Sequence, residues 1–376
     1  MIYLDSAATT FRKPESVRAA VIRAMRTMSS PGRGGYESAR KAEELLFRCR
    51  SRAAELFGVD SPERVVFTAS ATHGLNIAIK SLVPPGGKVV VSGYEHNAVT
   101  RPLRALGAKL SVAAAPLFDR GACLEAFRRE LRRGADAAVC THASNVFGCI
   151  LPIEELSSLC RGTGVPLIVD ASQSAGMLAI DFEQTGAAFC AMPGHKGLYG
   201  PQGTGLLLCG SETKPLIEGG TGSASLQQEM PEFLPDRLEA GTHNVPGIAG
   251  LEAGLAFVQR MKPERILRHE RMLIKQAVDG LRNMPGVTVY AAEQPEHQMG
   301  VLSFSLDGTD CEETAAELAR MGIAVRAGYH CAPLAHQTAG TLSQGTVRLS
   351  VSAFEHMQDI DAFLRAVARV RIRNNR

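Results

Sequence analysis

A chain of 376 residues with 45% hydrophobic composition is long enough to bury a large core and to form two or three domain-sized units. Its 41 Lys and Arg stand against 38 Asp and Glu, and a formal charge of +3 is too weak a field to hold nucleic acid or an anionic membrane. Small molecules and proteins are therefore the expected partners.

The N-terminus, MIYLDSAATT, lacks a basic region followed by an apolar stretch, and no run approaches the roughly 18 apolar residues of a spanning helix. A soluble, cytoplasmic protein is predicted. The nine cysteines are scattered and form no C-x-x-C pair, so neither a disulfide framework nor a metal site is expected. Most should be small buried hydrophobes, with room for one reactive thiol.

Residues 1–13 are too short to fold alone and are expected to pack at a junction between two domains. From about residue 65 to 209, short apolar runs alternate with helix-like segments, the pattern of a parallel sheet covered on both faces. The runs are RVVFTA, KVVVSG, DAAVCT, PLIVDA, AAFCAM and TGLLLC. Beyond about 245 come two helical stretches (246–261 and 263–283), then GVTVYAA, GVLSFSL, a helix from about 311, IAVRAG, TVRLSVS and a closing helix. The expected architecture is α/β, with a large mostly parallel sheet domain over 14–245 and a smaller α+β domain over 246–376. The final RVRIRNNR reads as a solvated, frayed basic end.

Four of the first five runs are followed by polar residues: Ser70-Ala71-Thr72, Glu95-His96, Asn145, and Asp170 with Gln173. Ligands in open α/β sheets bind beyond the carboxyl ends of the strands, so these residues should converge on one crevice. Lys196 sits in MPGHKGLYGPQGTGLLL, where glycines leave the backbone uncrowded; a lone lysine there is usually a surface residue beside a turn, but a dry site would lower its pKa and make it a nucleophile. Asp170 is either the partner of a protonated ring nitrogen or the N-cap of a helix beginning at ASQSAG. Thr72 is either a phosphate ligand at a helix N-terminus or a plain cap, and the two roles are compatible. His96 offers a ring to stack on a flat group, and Asn145 offers an amide; a satisfied polar histidine and a turn-forming asparagine are the alternatives.

Together these stretches resemble the class V aminotransferase group of fold-type I pyridoxal 5'-phosphate (PLP) enzymes, and within it the cysteine desulfurases. YLDSAATT, PGRGG, TASATHGLN, YEHNAV, HASNVFG, VDASQSAG, GHKGLYGPQGTG, LEAGTHN and VRAGYHCAPL follow the family's order over nearly the whole chain. The resemblance implies that Lys196 is the Schiff-base lysine, Asp170 the pyridinium partner and His96 the stacking ring. It implies that Gln173 and Asn145 contact the phenolic oxygen, that Ala71, Thr72 and His195 lie at the phosphate, and that Thr242 reaches the phosphate of a neighbouring subunit in a homodimer. Two departures stand out. Met192-Pro193-Gly194 precedes His195-Lys196 where the family commonly has a phosphate-binding serine, and Gly35-Tyr36 replaces a histidine found in some relatives.

Cys331, in VRAGYHCAPLAHQ, lies among Gly, His and Pro rather than in an apolar run, and an exposed thiol near cations reacts as thiolate. By resemblance it matches the reactive cysteine of the short-loop desulfurases. Strand alternation in TVRLSVS places Arg348, Ser350 and Ser352 on one face and Val347, Leu349 and Val351 on the other. Arg348 is either solvent-facing or, as the family implies, the bidentate grip on a substrate carboxylate; Arg326 matches a second family arginine near the site.

The implied reaction draws sulfur from L-cysteine onto Cys331, leaving L-alanine, and passes it to an acceptor protein or thiol. A selenocysteine lyase acting on L-selenocysteine would use the same residues. In another aminotransferase or carbon–sulfur lyase Cys331 would be incidental, and a non-catalytic scaffold would need none of the constellation.

Overall fold

A computed structural model describes residues 1–374 apart from Arg33. Arg33 of the PGRGG stretch and the last two residues of the basic tail thus lie outside the described residues.

The elements run in this order: β1 (Ile2–Tyr3), α1 (Glu15–Thr27), α2 (Glu37–Phe57), β2 (Val65–Thr68), α3 (Ala71–Leu82), β3 (Lys88–Ser92), α4 (Asn97–Ala105), β4 (Lys109–Ala113), α5 (Arg120–Leu131), β5 (Ala137–Thr141), α6 (Ile153–Thr163), β6 (Leu167–Asp170), α7 (Phe182–Thr185), β7 (Phe189–Pro193), β8 (Gly205–Cys209), α8 (Val245–Met261), α9 (Pro263–Arg282), β9 (Val287–Tyr290), β10 (Val301–Leu306), α10 (Cys311–Arg320), β11 (Ile323–Ala324), β12 (Arg326–Gly328), α11 (Pro333–Ala339), β13 (Thr346–Ser350) and α12 (Met357–Asn374).

Seven strands form the large sheet, in the order β2-β8-β7-β6-β5-β3-β4. Its interior strands are apolar over most of their length because both faces are covered. Along β6, Leu167 and Val169 enter one core while Ile168 enters the other; along β5, Ala138 and Cys140 oppose Ala137 and Val139. The first core is closed by α1, α2, α5, α6 and α8, the second by α3 and α4. Each fully buried Val or Leu there contributes roughly 1.5–3 kcal/mol.

The six apolar runs become six of the seven strands. The seventh, β4, is an edge strand whose first two residues are exposed, so KLSVA lacks the continuous apolar run of its neighbours. β8 lies antiparallel to both β2 and β7, so the sheet is mixed at that end.

A second sheet, β12-β13-β10-β9, is antiparallel and packs its apolar face on α9, α10 and α12. Val347, Leu349 and Val351 point into that core. The frayed end foreseen for RVRIRNNR is instead helical through Asn374, because Val370 is buried against the same core and holds the last turns down.

The N-terminal segment joins the two sheets. β1 pairs in parallel with β11, Asp5 bridges to Ser350, and Thr10 N donates to His195 O. No helix among the described residues is long and apolar enough to cross a membrane.

Candidate active site

At the carboxyl ends of β5, β6 and β7 lies a cavity of about 230 Å³. Ala71, Thr72, His96, Asn145, Asp170, Gln173, His195, Lys196, Arg326, Cys331 and Arg348 all line it. Of the cofactor and substrate residues implied by the resemblance only Thr242 is missing: it lines two other cavities, beside His243 and Glu239. Glu95, also expected to reach the crevice, is fully buried and does not line the cavity.

Asp170 ends β6 and is 2% exposed. One carboxylate oxygen accepts the Ser172 N–H at 2.9 Å. The residues that follow are turns rather than the helix expected at ASQSAG, so the carboxylate caps a turn and the helix-cap alternative falls. Beside it, burial lowers the pKa of Lys196 to about 8, although the Asp170 charge opposes the shift.

Lys196 follows β7 in a turn that only glycines permit. A Cβ on Gly176 would sit 2.3 Å from Gly197 O, and one on Gly197 would sit 2.3 Å from Ala175 O. The turn is clamped from the N-terminal segment, since His195 O accepts from Thr10 N at 3.1 Å, Thr10 Oγ1 at 3.0 Å and Lys13 Nζ at 2.9 Å. Burial drives the His195 pKa down to about 4, with Lys196 and Lys13 adding to the effect; the ring is neutral, and its buried Nδ1 has no partner among the described residues.

The cap of α3 is Ser70, whose Oγ accepts His73 N at 3.2 Å, and not Thr72. Thr72 is exposed in the first turn, its hydroxyl committed to no cap. The helix N-terminus therefore faces the cavity with Ser70, Ala71 and Thr72, an arrangement suited to an anion. Pro193, in the first of the two departures, lines the cavity. Tyr36 is exposed at the start of α2 and does not line the cavity, so the second departure lies outside it.

His96 caps α4 by accepting Ala98 N at Nδ1, 2.9 Å away, which leaves the proton on Nε2. Burial lowers its pKa. Gln173 Nε2 donates to Ala7 O at 3.1 Å, and Asn145 Nδ2 donates to His330 O at 2.8 Å, so each amide retains one hydrogen for a ligand.

Arg348 is 2% exposed, which removes the solvent-facing alternative. Its Nη2 donates to Asp5 Oδ1 at 2.6 Å and its Nη1 to Asn145 O at 2.9 Å, while Nε has no partner among the described residues. Arg326 stands directly across from it on β12 and is exposed.

Cys331 is exposed, whereas the other eight cysteines are free and buried. Burial raises the thiol pKa at all eight, to about 12 at Cys123, Cys149 and Cys160. His330 and Cys331 both adopt left-handed backbone, with φ of 50° and 57°, a strain held by hydrogen bonds to their two carbonyls. Neither ring nitrogen of buried His330 has a hydrogen-bond partner among the described residues, and burial drives its pKa down to about 2.

Sequence reasoning missed His330 and Asp5, and it missed Ser70 as the helix cap although it placed that residue at the crevice. Ser70 and Asp5 stand inside stretches already singled out, TASATHGLN and YLDSAATT, but their partners are set by the fold. For His330 the only signal was its place next to Cys331.

Thr242 stands beside a separate network. Arg50 donates to both Glu239 oxygens, at 2.8 and 2.5 Å, His243 Nε2 meets the same carboxylate at 2.6 Å, and Phe67 N donates to it at 2.6 Å.

Comparisons with known proteins show which family the chain resembles. A probable cysteine desulfurase of Methanothermobacter thermautotrophicus is 31% identical over 96% of this chain and 92% of its own length. Another, of Mycolicibacterium paratuberculosis, is 32% identical over 98% of this chain, which spans only 55% of that relative. The apo structure of a cysteine desulfurase from Thermococcus onnurineus superposes with a TM-score of 0.89 at 29% identity, covering 98% of this chain and 94% of that one. The sequence model of the class V aminotransferases matches residues 2–363, and the chain is a member of that family.

Proposed function

We propose that this protein is a PLP-dependent cysteine desulfurase, converting L-cysteine to L-alanine with transfer of the sulfur to Cys331. The observation that carries the reading is that the one exposed cysteine of nine lines the same small cavity as Lys196, Asp170, His96 and the buried Arg348.

The cavity's donor set fits the cofactor. A buried carboxylate, a lysine of lowered pKa, and the start of α3 together with His195 Nδ1, which has no partner among the described residues, match, in turn, a ring nitrogen, an aldehyde and a phosphate. Lys196 would hold the group covalently, Asp170 would pair with its ring nitrogen, His96 would cover its face, and Asn145 and Gln173 would each give an amide hydrogen. Ser70, Ala71, Thr72 and His195 would surround the phosphate. When bound, PLP supplies an electron sink for the α-carbon of an amino acid.

The chain's own residues supply the rest. Arg348 grips the substrate carboxylate. Lys196 Nζ, neutral in much of its population near pH 8, takes and returns a proton at the α-carbon. The Cys331 sulfur then attacks the substrate sulfur; the Cβ–S bond breaks as the S–S bond forms, Cβ gains a proton, and alanine leaves behind a Cys331 persulfide. Because only Tyr329–Ala332 separate β12 from α11, and both the His330 and Cys331 carbonyls are hydrogen-bonded, Cys331 works from a fixed position and an acceptor must come to it.

The reading extends to a cytoplasmic homodimer that hands sulfur to an acceptor protein or thiol. In that reading Thr242, which lies outside its own chain's cavity, would serve the cavity of a partner, as the family resemblance implies. Incubation with L-cysteine, and separately with L-selenocysteine, followed by assay of alanine and of mass added to Cys331, tests the proposal. Alanine in step with a persulfide on Cys331 is expected; alanine from selenocysteine alone would reassign the protein as a selenocysteine lyase.

A further inference from the structure

We propose that Asp5 is a positioning residue that sets the charge at Arg348, so that the site favours a zwitterionic α-amino acid over a simple carboxylate anion. The inference rests on the reading of Arg348 as the carboxylate grip.

Arg348 does not wait for a ligand as a bare cation. Its Nη2 is bonded to the Asp5 carboxylate at 2.6 Å and its Nη1 to the Asn145 carbonyl at 2.9 Å. Of its five N–H groups, Nε and one on each Nη remain, and Nε is buried without a partner. The guanidinium therefore enters binding already oriented.

Asp5 is itself fixed by backbone structure. It follows β1, bridges to Ser350 on the strand that carries Arg348, and is flanked by the Ala7 N–H donating to Ser350 Oγ at 2.9 Å. The Tyr3 hydroxyl donates to the Asp5 carbonyl at 3.1 Å. The carboxylate thus stands against the Arg348 guanidinium from behind the cavity wall, paired with a residue that lines the cavity without lining it itself.

The surrounding charges explain why it matters. Arg326 lies opposite Arg348 across the β12–β13 pair, and both line the cavity with Lys196. Without Asp5 this wall would hold two adjacent guanidiniums and attract any small carboxylate. With Asp5 the Arg348 pair is nearly neutral, and an incoming monoanion meets a guanidinium whose charge is already offset by the carboxylate behind it. A zwitterionic amino acid carries its own compensating ammonium and is disfavoured much less.

Calorimetric titration of the PLP-loaded enzyme with propanoate and with L-alanine tests this without requiring turnover. Asp5→Asn keeps an oxygen to accept from Arg348 but removes the charge. It is expected to tighten propanoate by about tenfold or more, while L-alanine changes by less than about threefold, a shift in ratio that loosened packing would not produce. Asp5→Glu should restore the wild-type ratio. An unchanged propanoate-to-alanine ratio in a folded Asp5→Asn enzyme, or equal weakening of both ligands, overturns the proposal. If Arg348→Lys leaves propanoate binding untouched, the grip reading itself is wrong and this inference falls with it.

Discussion

The side-chain amide of Asn145 donates to the backbone carbonyl of His330 at 2.8 Å, tying the loop after β5 to the loop that carries Cys331. From the other side Asn97 N donates to Cys331 O, also at 2.8 Å. Two polar groups, one in the loop after β5 and one at the start of α4, thus hold the strained His330–Cys331 backbone in place. Asn145→Asp would set a carboxylate oxygen against the His330 carbonyl and leave that carbonyl without its donor, at a cost of roughly 1–3 kcal/mol. Thermal denaturation should register the loss, and alkylation of Cys331 by iodoacetamide should quicken as the loop loosens. An unaltered alkylation rate would mean that the amide does not anchor the loop.

Lys196 should become reactive two units or more below an ordinary lysine. Burial favours its neutral form, so addition to an aldehyde should accelerate as pH rises through about 8 and level off above. Stopped-flow uptake of PLP by the apo-protein measures this directly. A rate still climbing steeply at pH 10 would show that the cavity does not desolvate the amine.

Glu95 gives a pH-dependent stability of definite sign. It is fully buried at the ends of β3 and β5, accepting from Ser92 and, at 2.8 Å, from Thr141 N, while its Oε2 has no partner among the described residues. Burial, aided by the Asp170 charge, raises its pKa to about 8. A folded-state pKa above the unfolded one means that Glu95 favours folding fully below about 4.5 and loses that contribution as pH rises through 8. Glu95→Gln should remove this titration. Its Tm relative to wild type should therefore climb between pH 5 and 8. A constant difference over that range would contradict the assignment.

How much of this was legible in the sequence follows from what each residue touches. The interior strands and Asp170, His96 and Lys196 could be found because burial on both faces writes an apolar run, and the residue that ends the run faces the crevice. β4 escaped because one of its sides is exposed, and the reversed direction of β8 leaves no local mark. Cys331 stood out because its neighbours are not apolar. Ser70 rather than Thr72 as the cap, and Asp5 as the partner of Arg348, depend on geometry that spacing does not encode; the latter pair is 343 residues apart.

The Arg50–Glu239–His243 network should hold the turn that carries Thr242. Glu239→Ala would leave the Arg50 guanidinium, 7% exposed, without its counter-charge, and breaking such a buried pair costs roughly 3–5 kcal/mol. Chemical denaturation should show a loss of that order. A change below about 1 kcal/mol, the scale of an exposed pair, would mean that the network is solvated.

Cys331→Ala, compared with wild type on L-cysteine and with PLP occupancy followed by absorbance, tests the central claim most directly. The variant should bind PLP as wild type does, because the thiol holds no part of the cofactor, yet alanine formation from L-cysteine should collapse for want of a sulfur nucleophile. Alanine from L-selenocysteine should fall less, since selenium leaves more readily. Equal alanine production from L-cysteine by the two enzymes, with chemistry limiting the rate, would show that Cys331 takes no part in sulfur transfer.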